Sequence, residues 1–300
     1  MKRHCIVVPL YKSFEMLADD ELISLQQLFA VLGKHPICFI SHCKFEFDIY
    51  VKEAEKKNIF PEVKRFDEFY FGDVNGYNQL LISLDFYRSF SAFDYLLIYQ
   101  LDAFVFRDEL NYWCKMKYDY IGAPWTGIHI YKEIPLVGVG NGGFSLRKVE
   151  STIMVLKKLR LLEVLEQYKN FNWKGIVPRL PAVIYKLVKA KKIASDFEKT
   201  YTFQEDVFWC KDAPERLKNF TGTSIIIKSL GKFLLRESFN IAPVETACKF
   251  SVETNPRKYY KMNNQELPFG CHAWEKYDPQ FWKPFIYFTL TQNPNTIFRH

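Results

Sequence analysis

Cysteine pairs at metal or redox spacing are missing from this chain. Its seven cysteines, at positions 5, 38, 43, 114, 210, 248 and 271, are scattered, odd in number, and include no CxxC. That argues against a zinc knuckle or a disulfide framework and fits free thiols in a reducing compartment. Long apolar runs are missing too: no uninterrupted apolar stretch approaches 18 residues, the length that marks a membrane span. The N-terminal MKRHCIVVPLYK is basic, then only briefly apolar, and is cut by Pro9, which is too short for a secretory h-region. A cytoplasmic location is expected, with peripheral contact to the inner face of the membrane as its extension. No internal repeat, low-complexity tract or Pro/Gly/Ser linker divides the chain, so a single domain over 1–300 with two lobes is expected.

What is present is a chain of 300 residues, 48% hydrophobic, with 28 Phe, 18 Tyr and 6 Trp. That suffices for one large core or two coupled halves. Such aromatics fill cores or stack on sugars and bases. The net charge of +7 is concentrated: from Lys157 to Lys199 there are eleven Lys or Arg and four acids, so the rest of the chain is neutral. A basic segment of this kind is a solvated helix face or a docking site for an anionic partner.

Apolar periodicity gives the scaffold. Cys5–Val8, Ile37–Ile40 and Tyr95–Tyr99 read as short buried strands, the last typical of a central parallel strand. Between them, Leu22, Leu25, Leu28, Phe29 and Leu32 mark a helix capped by Asp19 or Asp20 and stopped at Gly33. Phe45–Lys57 reads as a surface helix, and Tyr77, Leu81, Leu84 and Tyr87 restore a helical period. Strands alternating with helices predict an α/β fold with a mainly parallel sheet flanked by helices. Ligands of such sheets lie beyond the carboxyl ends of the strands, here at Leu10-Tyr11-Lys12 and Gln100-Leu101-Asp102. The second half is less regular: a helix is expected near Val149–Gln167, then a basic stretch 168–200 interrupted by Pro178 and Pro181, then short strand-like pieces after 240.

Four constellations carry candidate chemistry. Asp102, at a strand end, either caps a turn or holds a hard cation such as Mg²⁺ or Mn²⁺, which takes one or two carboxylates and completes its shell with phosphate and water. Gly138-Val139-Gly140-Asn141-Gly142-Gly143 has four glycines in six residues, a turn or a place where a ligand comes close to backbone. It lacks the GK[ST] of a Walker loop and the context of a dinucleotide fingerprint. Glu205-Asp206 opens an apolar segment with Val207-Phe208-Trp209. Acids there favour a helix N-terminus or, desolvated among aromatics, serve as a general base. His272, in the turn Gly270-Cys271-His272-Ala273-Trp274, is a structural histidine or a ligand for an Mn²⁺-like ion.

In this order the pieces resemble the GT-A glycosyltransferases, and nearest among them a bacterial glycosyltransferase-like family of unknown function. The resemblance runs from about Val7 to Trp274, through Val7–Lys12, Tyr95–Phe106, Asp119–Trp125, Gly140–Arg147, Glu205–Val207 and Phe269–Trp274. It implies a Rossmann-related sheet with a nucleotide-sugar-binding half over 1–110 and an acceptor-side half over 111–300, the latter carrying a basic helical insert at 157–199. It implies a metal, Mn²⁺ or Mg²⁺, held by Asp102 as the last acid of a DxD motif and by the late His272. It implies nucleotide-sugar contacts from Pro9, Tyr11, Lys12, Tyr77, Asn78, Gln100 and Asp102, with a UDP-sugar as the donor. Asn141, Gly142 and Gly143 match the acceptor loop, and Asp206, with Glu205 beside it, matches the base of inverting enzymes. Trp125 and Trp209 are candidates for stacking on an acceptor sugar.

The chain departs from the motif at one position, where Gln100 replaces the first acid of DxD. With fewer carboxylates, metal and sugar nucleotide are expected to bind together, the diphosphate supplying the missing charge. The expected acceptor is a glycan or glycolipid hydroxyl, and Lys186, Lys189, Lys191 and Lys192 are placed near anionic headgroups. The alternatives are a non-catalytic sugar- or nucleotide-binding protein of the same fold, a nucleotidyltransferase, for which Pro9-Leu10-Tyr11-Lys12 lacks glycine, and a retaining transferase. No nucleic-acid-binding motif is present.

Overall fold

The computed structural model describes residues 3–125, 138–190, 196–235 and 239–292. The chain groups into two compact units. One comprises Met1–Gly72, Phe93–Lys148 and Ile241–His300; the other comprises Asp73–Ala92 and Val149–Asn240.

The first unit is built on a six-stranded sheet. Its strands are β1 (His4–Pro9), β2 (Ile37–His42), β3 (Glu62–Phe66), β4 (Tyr95–Tyr99), β6 (Tyr120–Ile121) and β9 (Phe144–Lys148), in the order β3-β2-β1-β4-β9-β6. The pairs β3/β2, β2/β1 and β1/β4 are parallel; β9 is antiparallel to both β4 and β6. The expected α/β fold with a mainly parallel, helix-flanked sheet is therefore observed. β1 and β4 are buried throughout, because parallel strands are covered on both faces. Two smaller sheets complete the unit: β5 (Ala103–Val105), β10 (Ser251–Val252) and β11 (Gly270–His272) in the order β10-β11-β5, and the pair β7 (Pro124–Trp125) with β8 (Gly138–Val139).

The helix Asp19–Leu32 packs Leu25, Leu28, Phe29 and Leu32 into the same core as Ile6, Val8, Ile37, Phe39 and Leu97. Each such fully buried aliphatic side chain contributes about 1.5–3 kcal/mol. Two sequence details are corrected here. Asp19 is the first helical residue, not the cap, and the Ala18 N–H donates instead to the Glu21 carboxylate at 2.9 Å. Gly33 keeps right-handed backbone (φ −60°). Glycine is required because a Cβ there would lie 2.3 Å from the Phe29 carbonyl oxygen and 2.5 Å from Ile59 Cδ1.

The second unit is helical among its described residues. The long helix Val149–Glu166 supports Trp173–Ile176, Leu180–Ala190 and Ile225–Leu234 around a small core of Val164, Leu165, Tyr168, Ile176, Val183 and Ile227. Pro178 and Pro181, expected to interrupt this region, sit in a 3₁₀ turn (Val177–Arg179) and in the first turn of Leu180–Ala190, where a missing N–H costs nothing. The period at 77–87 is two helices, Val74–Leu81 and Leu84–Ser89, the second capped by Ser83 Oγ accepting from Phe86 N. Lys191 and Lys192 lie outside the described residues. Among the described residues, no helix is long and apolar enough to cross a membrane.

Candidate functional site

Three strand registers in the first unit converge on one place. β4 pairs with β9 so that Tyr99 faces Phe144, and beyond that pair Gln100 N donates to Gly143 O at 2.8 Å. β5 pairs antiparallel with β11, setting Ala103 opposite His272, so Asp102 arrives beside the imidazole. β10 pairs parallel with β11, Val252 opposite Cys271, which brings the next residue, Glu253, to the other side of the ring.

His272 Nε2 lies 3.0 Å from Gln100 Oε1 and 3.0 Å from Asp102 Oδ1, and Nδ1 lies 3.3 Å from Glu253 Oε1. Burial by itself lowers the His272 pKa; Asp102 and then Glu253 overcome this and push it up to about 10. Burial raises the Asp102 carboxyl, and the adjacent imidazolium more than offsets it, holding the group below the ordinary carboxylate range. Two contacts are ion-pair distances without hydrogen-bond alignment: buried Asp102 Oδ1 and His272 Nδ1 have no aligned partner, and the Nε2 hydrogen bond goes to Gln100.

Once the imidazolium gives up its Nε2 proton, and with it the hydrogen bond to Gln100, these donors fit a divalent cation. Ligands bound at about 2.1 Å and at right angles stand about 3 Å apart, the separation of Nε2 from both oxygens. Asp102 Oδ1 is itself buried without an aligned hydrogen bond, although the side chain as a whole is half-exposed. A carboxylate on the far ring nitrogen, as Glu253 provides, is what orients a metal-binding imidazole. No group of three or more His, Cys, Asp or Glu able to hold a metal ion occurs among the described residues. The protein set is thus one carboxylate, one imidazole and one amide.

The glycine loop is shaped around this cluster. A Cβ on Gly143 would lie 1.9 Å from His272 Nε2, one on Gly140 would lie 1.9 Å from the Trp125 ring, and one on Gly122 would meet Gly140 O. Asn141 takes the left-handed conformation (φ 63°), one that Asn tolerates. Its side-chain oxygen accepts from Gly143 N at 3.1 Å and its carbonyl from Tyr120 Oη at 3.2 Å. Gly142 O accepts from Ser145 Oγ at 3.0 Å. Buried Arg147 donates to Ser145 Oγ at 3.1 Å and stacks on Tyr120. Gly142 and Trp125 are half-buried.

Along the same sheet edge, Pro9 ends β1 and is buried, while Tyr11 and Lys12 are exposed. Lys12 Nζ contacts both Glu21 oxygens at 2.8 Å, and its carbonyl accepts from Tyr50 Oη at 2.8 Å. The Lys12 charge therefore serves the start of the helix Asp19–Leu32.

The remaining predicted residues belong to the second unit. Glu205 and Asp206 open the short helix Glu205–Val207, as the sequence suggested. Glu205 is buried and Asp206 is half-buried. Asp206 Oδ1 accepts from Val207 N at 2.8 Å, and Glu205 N donates to Asn78 Oδ1 at 3.3 Å. Asn78, on the helix Val74–Leu81, is thus tied to the acid pair, with buried Tyr77 beside it. Trp209 is a correction: it is fully buried, its indole N–H donates to Leu81 O at 3.0 Å, and its ring packs edge-on against Tyr87. It serves the core and offers no face to an acceptor.

A cavity of about 660 Å³ also lies in the second unit, lined by Glu166, Phe197, Asp212, Arg216, Phe220 and neighbours. It includes none of the predicted site residues. Sequence reasoning missed Glu253 and Lys276. The Lys276 ammonium is stabilised first by Tyr277 and more weakly by Glu253 and Asp102. Glu253 had no local signal, because two-residue β10 shows no period; only the register with β11 places it.

No curated protein matches the chain. Among solved structures it is similar to the glycosyltransferase GlyE of Streptococcus pneumoniae TIGR4, with TM-score 0.41 and 10% identity over 97% of this chain and 63% of that one. It is also similar to S. aureus TarS 1–349, with TM-score 0.30 and 10% identity over 52% of this chain and 48% of that one, and to the same protein in complex with UDP, with TM-score 0.31 and 11% identity over the same shares. The chain spans less than two thirds of the length of these proteins. Likeness at this level decides neither fold nor activity. The family comparison is more direct, since residues 61–272, most of the chain, match the family described as "Protein of unknown function (DUF5672)", and the chain belongs to that family.

Proposed function

We propose that the protein is a glycosyltransferase that moves a sugar from a nucleotide sugar, a UDP-sugar, to a hydroxyl of a glycan or lipid-linked acceptor, inverting the anomeric centre. The observation that carries this reading is the meeting of Gln100, Asp102 and His272 beyond the carboxyl end of β4, the edge where open α/β sheets take ligands. Asp102 and His272 are the residues that would hold Mn²⁺ or Mg²⁺. When bound, such an ion would supply neutralisation of charge on the departing diphosphate, worth several kcal/mol.

The chain's own groups do the rest. Glu253, on the far ring nitrogen, fixes the imidazole plane, and Gly143 leaves room for it. Lys276 adds positive charge beside Asp102. Asp206 accepts the proton of the acceptor hydroxyl as its oxygen bonds to the anomeric carbon. The bond from that carbon to the diphosphate oxygen breaks, and the nucleoside diphosphate leaves with the electron pair. A base of this kind contributes roughly 10²–10⁴-fold in rate.

The test is a thermal-shift screen of UDP- and GDP-sugars with and without Mn²⁺, followed by a transfer assay with NMR of the product anomer. A Mn²⁺-dependent shift with UDP-sugars and an inverted product are expected. Binding without transfer or donor hydrolysis across an acceptor panel would instead make it a sugar-nucleotide-binding protein.

A further inference from the structure

The second unit carries a surface that the transfer chemistry does not use. From Gln167 to Ala190 the chain has five Lys or Arg and no Asp or Glu; from Lys218 to Leu235 it has three and none. These two stretches are far apart in sequence but share one small core, through Ile176 and Val183 on one side and Ile227 on the other. The flanking Glu166 and Arg216 pair at 2.8 Å and cancel each other, and Asp212 and Glu215 lie with them at the cavity.

The same stretches expose large apolar side chains. The helix Leu180–Ala190 buries only Val183 completely, while Ile184, Tyr185 and Val188 stand in solvent with Lys186 and Lys189 between them. The Lys189 ammonium lies 4.7 Å from the centre of the Tyr185 ring. On the helix Ile225–Leu234, Ile225 and Phe233 are 75% and 80% exposed, two turns apart on one face with Lys228 and Lys232. Trp173 is 61% exposed next to Lys174.

We infer that the exposed side of the helix Leu180–Ala190 docks on an anionic lipid bilayer, Ile184, Tyr185 and Val188 entering the headgroup boundary and Lys186 and Lys189 meeting lipid phosphates, and that the helix Ile225–Leu234, which carries the same pattern, adds to it. Both halves of the pattern are needed for that occupant. An apolar ridge with interleaved lysines and no acid is how an interfacial helix holds to a charged membrane. A purely electrostatic partner leaves the exposed Ile, Val and Phe unexplained. Nucleic acid stacks on aromatic faces and gains nothing from aliphatic ones. The inference stands independently of the transferase reading. It extends the basic segment noticed in the sequence to the helix Ile225–Leu234, which lies outside that segment.

The protein provides its own probe, since Trp173 is the exposed tryptophan among the described residues. Vesicles of phosphatidylcholine alone and of equimolar phosphatidylcholine and phosphatidylglycerol are the test surfaces. Flotation with the anionic vesicles, weakened by salt, and a blue shift of tryptophan emission absent from Trp173→Phe are expected. The triple variant Ile184→Ser, Val188→Ser, Phe233→Ser changes only exposed positions; it should keep the wild-type circular dichroism and bind at least tenfold more weakly. Lys186→Glu with Lys189→Glu should abolish the preference for anionic lipid. Equal binding to both vesicle types, no flotation, or tight binding to single-stranded RNA with vesicles ignored overturns the inference. So does a wild-type dimer that the triple serine variant converts to monomer, because a second copy then covers the face.

Discussion

Gly143 and His272 are packed so closely that a Cβ on residue 143 would fall 1.9 Å from the imidazole Nε2, 2.3 Å from Cδ2 and 2.5 Å from Cε1. The loop therefore acts as the wall of the His272 site as well as a turn. Gly143→Ala should displace the ring from Gln100 and Asp102. The expected result is at least a tenfold loss of Mn²⁺-dependent UDP affinity by calorimetry, with melting temperature changed by only a few degrees. Unaltered affinity would remove His272 from the binding site.

Glu253 reaches His272 only through the β10/β11 register, and its role is to orient the ring. Glu253→Gln keeps the shape and an acceptor but removes the charge. Outer-sphere partners of this kind are worth about 10–100-fold in metal affinity, so Mn²⁺ affinity in the presence of UDP should fall within that range while UDP binding without metal stays constant. Equal losses with and without metal would mark Glu253 as structural.

Asp206→Asn should lower kcat by roughly 10²–10⁴-fold and leave donor binding close to wild type. Near-normal turnover would refute the base assignment. Glu205, buried and held through its N–H by Asn78, should behave differently: Glu205→Gln is expected to lower the melting temperature.

A pH effect on stability is predicted at Asp108, which accepts from His35 Nε2 at 2.9 Å and pairs with Lys34 Nζ at 2.8 Å. His35 in turn contacts His4 across 2.9 Å. Burial raises the Asp108 carboxyl, but the hydrogen bonds from Lys34 and His35 more than offset it and hold the folded-state pKa below the usual value. A depressed folded pKa stabilises the fold above the unfolded value, about 3.9, and that contribution is lost as pH falls through the folded value. Asp108→Asn should cost about 1–3 kcal/mol at pH 7, and its penalty should shrink below about pH 4. A penalty independent of pH would mean packing, not charge, is lost.

How much of this was legible in the sequence follows from strand length and burial. β1, β2 and β4 announced themselves as apolar runs because parallel central strands are covered on both faces. β3 was not seen: Glu62-Val63-Lys64-Arg65-Phe66 is an edge strand with half-exposed charged residues, as edges are usually protected. The strands that build the site, β5, β10 and β11, have three, two and three residues, too few for any period. Asp102 is legible only because it follows the apolar run of β4 and His272 only because it sits in a tight turn, Glu253 has no local signal, and nothing in Glu205–Trp209 says that Trp209 meets the core.

The most direct test is calorimetric titration of UDP into the wild-type protein and into Asp102→Ala, each with and without Mn²⁺. With a single carboxylate in the donor set, weak binding of Mn²⁺ alone, weak binding of UDP alone, and tight binding of the two together are predicted for the wild type, with the Mn²⁺ effect gone in Asp102→Ala. Wild-type UDP affinity that is the same with and without Mn²⁺, or a Mn²⁺ effect that survives in Asp102→Ala, would contradict the account.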